Sequence, residues 1–240
     1  RSAVARHKLG AEKQRAEQSA LWEKAFPLGE IDRQTPVWRY LCARGLGDLV
    51  PSRELRFVKR LACWEVPDGQ NIDGAAKARL VGEFPAMLAR LTNAEGKFIT
   101  LHRTYLTADG SKAPVHSAKK LAAGAVENGV IRLYPAGGVV CLAEGIETAL
   151  SVHALTGLPA WSVVSLSGMK RFGPETIPDG VRTIRICGDN DRSYAGAAGA
   201  YELASRLRRS RPELEVSVHI PQAAGTDWND VLLAHGMLKL

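Results

Sequence analysis

Three short apolar runs in the C-terminal part of the chain each lead into an acidic, glycine-containing turn, and this repetition dictates an open parallel sheet. Val139-Val-Cys-Leu-Ala143 enters Glu144-Gly145. Thr183-Ile-Arg-Ile-Cys187 enters Gly188-Asp189-Asn190-Asp191. Glu215-Val-Ser-Val-His-Ile220 is followed by Gly225-Thr-Asp227-Trp-Asn-Asp230. Short apolar runs bounded by turn residues suit strands buried on both faces. The pattern predicts strands over 139–143, 160–164, 183–187 and 215–220. Helices are predicted over 146–155, near 169–172, over 194–209 and over 228–234. Strand–helix alternation builds right-handed βαβ units, hence a parallel sheet with helices on both faces. In such sheets ligands bind beyond the carboxyl ends of the strands, where these acidic residues fall. A single acidic turn reads as turn residues or a helix cap. Three at successive strand ends point instead to a shared site for a hard cation with oxygen ligands, magnesium or manganese, and so to phosphate chemistry.

Upstream the pattern is more varied. Ala3 to Ala25 reads as a helix, a connector to something further upstream. Thr35-Pro36 supplies an N-cap and a first-turn proline for a helix from Val37 to Ala43. Residues 51–82 give no clear assignment. Ala86–Thr92 and Lys97–Leu106 flank Asn93-Ala-Glu-Gly96 as a β-hairpin, and Val130–Tyr134 reads as another strand. Pro135-Ala-Gly-Gly138 is a compact linker. It divides the chain into a mixed α+β basic subdomain (1–135) and an α/β domain (138–240).

The net charge of +7 favours a polyanionic partner such as nucleic acid. No apolar run approaches the length of a membrane span, and the basic stretch Arg1–Gln18 lacks the apolar core of a secretory signal. Cys42, Cys63, Cys141 and Cys187 are widely spaced with no Cys-x-x-Cys, so no zinc ribbon is expected in this chain. Cys141 and Cys187 fall in expected strands as apolar fillers, which suits a reducing cytoplasm. There is no Gly-x-x-x-x-Gly-Lys-Ser/Thr loop for an ATP motor. The tyrosines, Tyr40, Tyr105, Tyr134, Tyr194 and Tyr201, lack a motif marking a nucleophile and read as packing residues.

Glu144-Gly145, the Asp189-Asn-Asp191 pair and the ordered strands between them resemble the Toprim domain of bacterial primases, topoisomerases and some nucleases. The resemblance covers roughly residues 138–235 and implies that Glu144, Asp189 and Asp191 organise magnesium, with Glu144 able to act as a general acid or base. Leu142-Ala-Glu-Gly-Ile-Glu-Thr-Ala-Leu150 and Gly225-Thr-Asp-Trp-Asn-Asp-Val-Leu232 look like the primases of phages, plasmids and other mobile elements. Replicative primases place two further aspartates in the late turn. Asp227 matches the first, whereas Asn229 stands where the second would be. They also carry an aspartate four residues after the glutamate, where this chain has Thr148, and Glu147 is turned about 100° from it. These departures leave the number of metals open.

The upstream region is similar to the basic subdomain that precedes Toprim in those primases. Leu101-His-Arg-Thr-Tyr-Leu106 and Ser111-Lys-Ala-Pro114 match its arginine and lysine, and Lys119-Lys120 follow. Arg103, Lys112, Lys119 and Lys120 are thus candidates to grip a nucleoside triphosphate or template backbone, with Arg103, Lys112 and one of the paired lysines facing the acidic edge. The expected protein is a primase core that joins ribonucleotides on single-stranded DNA, with a replicative helicase as a further partner and a Cys/His metal-binding module upstream. A Toprim nuclease and a non-catalytic nucleic-acid-binding module are the alternatives.

Overall fold

The computed structural model describes residues 2–65, 78–121 and 129–235. Helix α1 (Ser2–Lys24) leads into a two-residue strand β1 (Phe26–Pro27) and then helix α2 (Pro36–Cys42). Strands β2 (Leu55–Glu65), β3 (Arg79–Thr92), β4 (Phe98–Tyr105) and β5 (Lys119–Leu121) follow. With β1 they form an antiparallel sheet in simple sequential order, β1-β2-β3-β4-β5. The predicted hairpin is β3–β4, whose turn is closed by the Gly96 amide on Asn93 O at 3.0 Å.

The unassigned region, 51–82, contains all of β2 and the start of β3. The apolar alternation of β2 is interrupted by Lys59-Arg60 at a register shift between Val58 and Leu61, which hides the strand period. Residues 130–134 are not a strand. Val130 and Ile131 form isolated bridges to Thr92 and Ser162, and so tie the two sheets together. Thr35 precedes Pro36 as expected, but its hydroxyl donates to Asp32 O rather than capping α2.

The second sheet comprises β6 (Val139–Ala143), β7 (Ala160–Ser162), β8 (Thr183–Cys187) and β9 (Glu215–His219), interleaved with α3 (Ile146–Thr156), α4 (Leu166–Arg171), α5 (Ala195–Ser210) and α6 (Trp228–His235). All its strand pairs are parallel, in the order β7-β6-β8-β9. The chain is therefore α/β, with a parallel sheet flanked by helices and preceded by an antiparallel sheet region. Strand β7 stops at Ser162, short of the expected 164, and Val164 takes a left-handed φ of 74°. Helix α4 starts earlier than expected because the Ser165 hydroxyl accepts from the Gly168 amide and caps it.

Alternating residues of β6 serve two cores. Val140 and Leu142 join Trp161, Ile184, Ile186, Leu203 and Leu207 under α5. Cys141 and Ala143 join a core that includes Trp38, Tyr40, Leu55, Met87, Ala149 and Leu150. The second core fuses α3 and α2 with the antiparallel sheet, so α3 is buried along most of its length. Cys141 and Cys187 are buried fillers, as expected. Among the described residues no helix is long and apolar enough to cross a membrane.

Candidate functional site

Strand register builds the acidic edge. Ala143, Cys187 and His219 are consecutive partners across β6, β8 and β9, so Glu144 and Gly188-Asp189 leave the sheet side by side. Gly188 admits no side chain: a Cβ there would stand 2.7 Å from Ile220 Cδ1 and 2.9 Å from Ala200 Cβ. The late turn is fastened to the same place. The Asn190 amide donates to Thr226 O at 3.0 Å, the Gly225 amide donates to Asn190 O at 2.6 Å, and Asn190 Nδ2 donates to Pro221 O at 2.8 Å. This brings Asp227 alongside Asp189.

The carboxylates differ in state. Burial raises the Asp189 carboxyl, the charges of Asp227, Glu144 and Asp191 raise it further, and its pKa reaches about 7. Its Oδ1 is buried without a hydrogen-bond partner. Glu144 is also raised, by burial first, although the Leu166 amide donates to it. Asp191 lies low, at about 2, because the Ser193 hydroxyl and the Gly196, Ala195 and Ser193 amides donate to it. It thus serves as a cap for α5, the role open to a single acidic turn. Asp227 caps α6, its Oδ1 accepting from the Asn229 and Asp230 amides at 2.7 and 3.0 Å while Asp230 Oδ2 accepts from the Asp227 amide.

Among the described residues no group of three His, Cys, Asp or Glu side chains is drawn close enough to hold a metal ion. Even so, the donor chemistry fits a divalent cation. A buried carboxylate oxygen without a donor, within the fields of three further carboxylates, is what a hard cation would satisfy.

Asn229 has a structural task. It is 8% exposed, and its amide nitrogen donates to Arg44 O at 2.8 Å and Ser151 Oγ at 3.0 Å, joining α6 to α3 and the end of α2. Asn229→Asp would set a carboxylate oxygen against the Arg44 carbonyl. It is expected to destabilise the fold by about 2–3 kcal/mol, checked by denaturant unfolding at pH 7.

The basic residues divide between two faces of the antiparallel sheet. Lys119 Nζ donates to Glu147 Oε2 at 2.6 Å, and its charge also reaches Glu144 and Asp189. Lys112 lies in the turn after β4, within the fields of Glu147 and Asp227, and burial lowers its pKa. That turn docks on α2, where Gly110 (φ +90°) would place a Cβ 2.5 Å from Arg39 Cβ. Arg103 and Lys120 are direct cross-strand partners on the opposite face. Lys120 Nζ pairs with Glu65 Oε1 and bonds Trp64 O, each at 3.0 Å. With Gln14, Glu17, Trp64 and Tyr105 the two line a hollow of about 680 Å³ beside α1. The strand period thus turns Arg103 away from the acidic edge and leaves Lys112 and Lys119 as the cations that face it.

Glu147 and Tyr40 enter the site unanticipated. The Tyr40 hydroxyl donates to Glu147 Oε1, and Arg44 lies 4.2 Å over the Tyr40 ring. Burial pushes the Glu147 carboxyl up, but the Lys119 charge and the bonds from Lys119 and Tyr40 outweigh it and hold the pKa at about 2. His102 is buried beside this pair, and desolvation lowers its pKa to about 4. A charge in the first turn of an otherwise buried helix was the available signal, since it requires a partner.

Residues 12–133, just over half of the chain, match the family profile described as a domain of unknown function, DUF7146, and residues 139–237 match the Toprim domain. The chain belongs to the DUF7146 family and carries a Toprim domain. No curated protein matches it. Among solved structures it is similar to a DNA primase domain from Pseudomonas aeruginosa, at 12% identity and a TM-score of 0.59 over 92% of this chain and 75% of that one. It is also similar to the DnaG primase catalytic domain bound to ssDNA, at 11% identity and a TM-score of 0.60 over 94% and 78%. A third match is the RNA polymerase domain of Mycobacterium tuberculosis primase DnaG in complex with double-stranded DNA, at 13% identity and a TM-score of 0.55 over 94% and 77%. The Toprim domain and the antiparallel sheet region before it together share the fold of primase catalytic cores.

Proposed function

We propose that the chain is the catalytic core of a DNA primase, extending an RNA primer from nucleoside triphosphates on single-stranded DNA. The observation that carries this reading is the arrangement around Asp189: an undersatisfied carboxylate at the edge of the Toprim sheet, flanked by Glu144, Asp191 and Asp227 and faced by Lys119 and Lys112. Glu144, Asp189 and Asp227 are the residues that would hold magnesium or manganese, with Asp191 contributing beyond its capping bonds. A divalent cation bound there supplies charge neutralisation for a triphosphate. Lys119 and Lys112 provide fixed positive charge on the other side of the same space, where negative charge builds as the pyrophosphate leaves. Glu144, raised above the ordinary carboxylate range, is suited to hold a proton near the reacting hydroxyl. Glu147, itself held by the Tyr40 hydroxyl, fixes the position of Lys119.

The classes separate by product. With magnesium, single-stranded DNA and labelled ribonucleotides, a primase yields new labelled oligomers. A Toprim nuclease would instead shorten end-labelled DNA with no nucleotide added. A binding module would retard DNA on a gel and give neither product. New oligomers from the wild-type chain, absent when the template is omitted, are the expected result.

A further inference from the structure

The outer face of α5 carries a feature that the acidic edge does not use. Buried positions Gly196, Gly199, Ala200, Leu203, Ala204 and Leu207 define the inner face of this helix. On the outer face Tyr201 is 61% exposed, and Arg208 follows seven residues later, within about 20° of it around the axis. Tyr194 stands at the N-terminal cap, 71% exposed and with a left-handed φ of 60°. A bulky non-glycine residue in that conformation is an outlier that packing does not repay here, because the ring is in solvent. Tyr194 and Tyr201 are the two most exposed aromatic residues among those described.

The electrostatics have a direction. Helix α5 starts at Ala195, where Asp191 of the acidic edge caps its first amides, and runs about 24 Å to the opposite edge of the sheet. There Arg208 and Arg209 are exposed, near Arg206, whose guanidinium bonds the carbonyls of Met169 and Phe172. Phe172, Pro174, Arg206 and Arg209 line a hollow of about 410 Å³ at that end. Arg192 is exposed at the start of the path. Glu202 is the acidic side chain on the same face, and Arg211 is occupied by Glu213.

We propose that this face is a track for single-stranded nucleic acid, on which Tyr194 and Tyr201 stack bases and Arg192, Arg208 and Arg209 take phosphates. Aromatic rings alternating with cations bind single strands with little sequence preference, because every base has a stacking face and every linkage a charge. Anionic lipid would need a continuous apolar face beside the cations, and α5 offers two isolated rings separated by about two helical turns. The inference rests on the primase reading for the strand's destination: the track leads to or from the acidic edge.

The test is fluorescence anisotropy with a labelled thymidine oligomer of about twenty nucleotides, using the full chain, Tyr194→Ala/Tyr201→Ala and Arg208→Glu/Arg209→Glu. All substitutions are on the surface, and circular dichroism melts verify folding. Each variant is expected to bind at least about tenfold more weakly at moderate salt, and the arginine variant to show a shallower salt dependence. Unchanged affinity in both variants overturns the proposal. Primer synthesis by the wild type together with unchanged binding by the variants would sink the track alone. Weakened binding by the variants with no primer synthesis by the wild type would sink the primase reading and leave the track standing.

Discussion

Asp189→Asn is expected to reduce primer synthesis by roughly 10³-fold or more while making the cation-free protein more stable, an opposition that separates a site residue from a scaffold residue. Asp189 is held at a pKa of about 7 by burial and by Asp227, Glu144 and Asp191. The sign follows from its raised folded-state value. Below the ordinary carboxyl range of about 4 the group is protonated in both states and costs nothing. Between about pH 4 and 7 the unfolded chain releases its proton first, so the folded state loses relative stability, and the full cost is present above 7. Asparagine removes the charge at constant shape. Allowing for partial solvation of the carboxylate, the gain at pH 8 is about 2 kcal/mol, or roughly 4–8 °C in Tm for a chain of this size. At pH 4 the gain disappears. Protons and a divalent cation compete for the same carboxylate, so activity should rise with pH through about 7. A thermal melt at both pH values and an activity profile from pH 6 to 8 check these outcomes. Equal loss of stability and activity at every pH would show Asp189 to be structural.

Lys119→Met carries the second large effect. Its partner Glu147 has a side chain only 8% exposed, so removing the lysine strands a buried carboxylate. The expected loss is about 3 kcal/mol at pH 7, or roughly 6–12 °C in Tm. Glu147 is held at about 2, below the ordinary carboxyl range. The stability it gains from its partners is therefore present above about pH 4 and disappears as pH falls toward 2. In Lys119→Met the stranded acid can take up a proton, so its deficit relative to wild type shrinks near pH 4. Lys119→Met/Glu147→Leu with Tyr40→Phe, which removes the hydroxyl that donates to Glu147, should recover most of the lost stability, since apolar groups of similar volume then replace the buried ion pair and leave no stranded donor. It should not recover primer synthesis, because the charge facing Glu144 and Asp189 is gone. Recovery of activity in this combined variant would remove Lys119 from the reaction and leave it a packing role.

The parallel half of the fold was legible because β6, β8 and β9 are each short, apolar and ended by a turn, so period, length and boundaries agree. Their register brings Glu144 and Asp189 together, and the Asn190–Thr226 bridge that adds Asp227 lies in a turn already marked by Gly225. The antiparallel half was legible only at its hairpin. Strand β2 hides behind Lys59-Arg60 and a register shift, and β5 is three residues long with two lysines on opposite faces. The sequence places Lys119 and Lys120 together, yet the period of two separates their partners: Glu147 for one, Glu65 for the other. The same rule carries Arg103 to the Lys120 side. Asp191 and Asn229 show the other limit. Residue type marks both as polar groups at a strand or helix end, whereas their bonds to the α5 amides and to Arg44 O depend on how the helices dock.

Templated nucleotidyl transfer at this edge is the activity to be tested. The measurement is incorporation of single labelled ribonucleotides by the wild-type 240-residue chain on homopolymeric single-stranded DNA templates, with magnesium or manganese, beside Asp189→Asn. Labelled oligomers are expected only when the ribonucleotide complements the template, only with the divalent cation, and not from the variant. Absence of product from the wild type on every template, product that ignores template identity, or equal product from Asp189→Asn would contradict the primase reading.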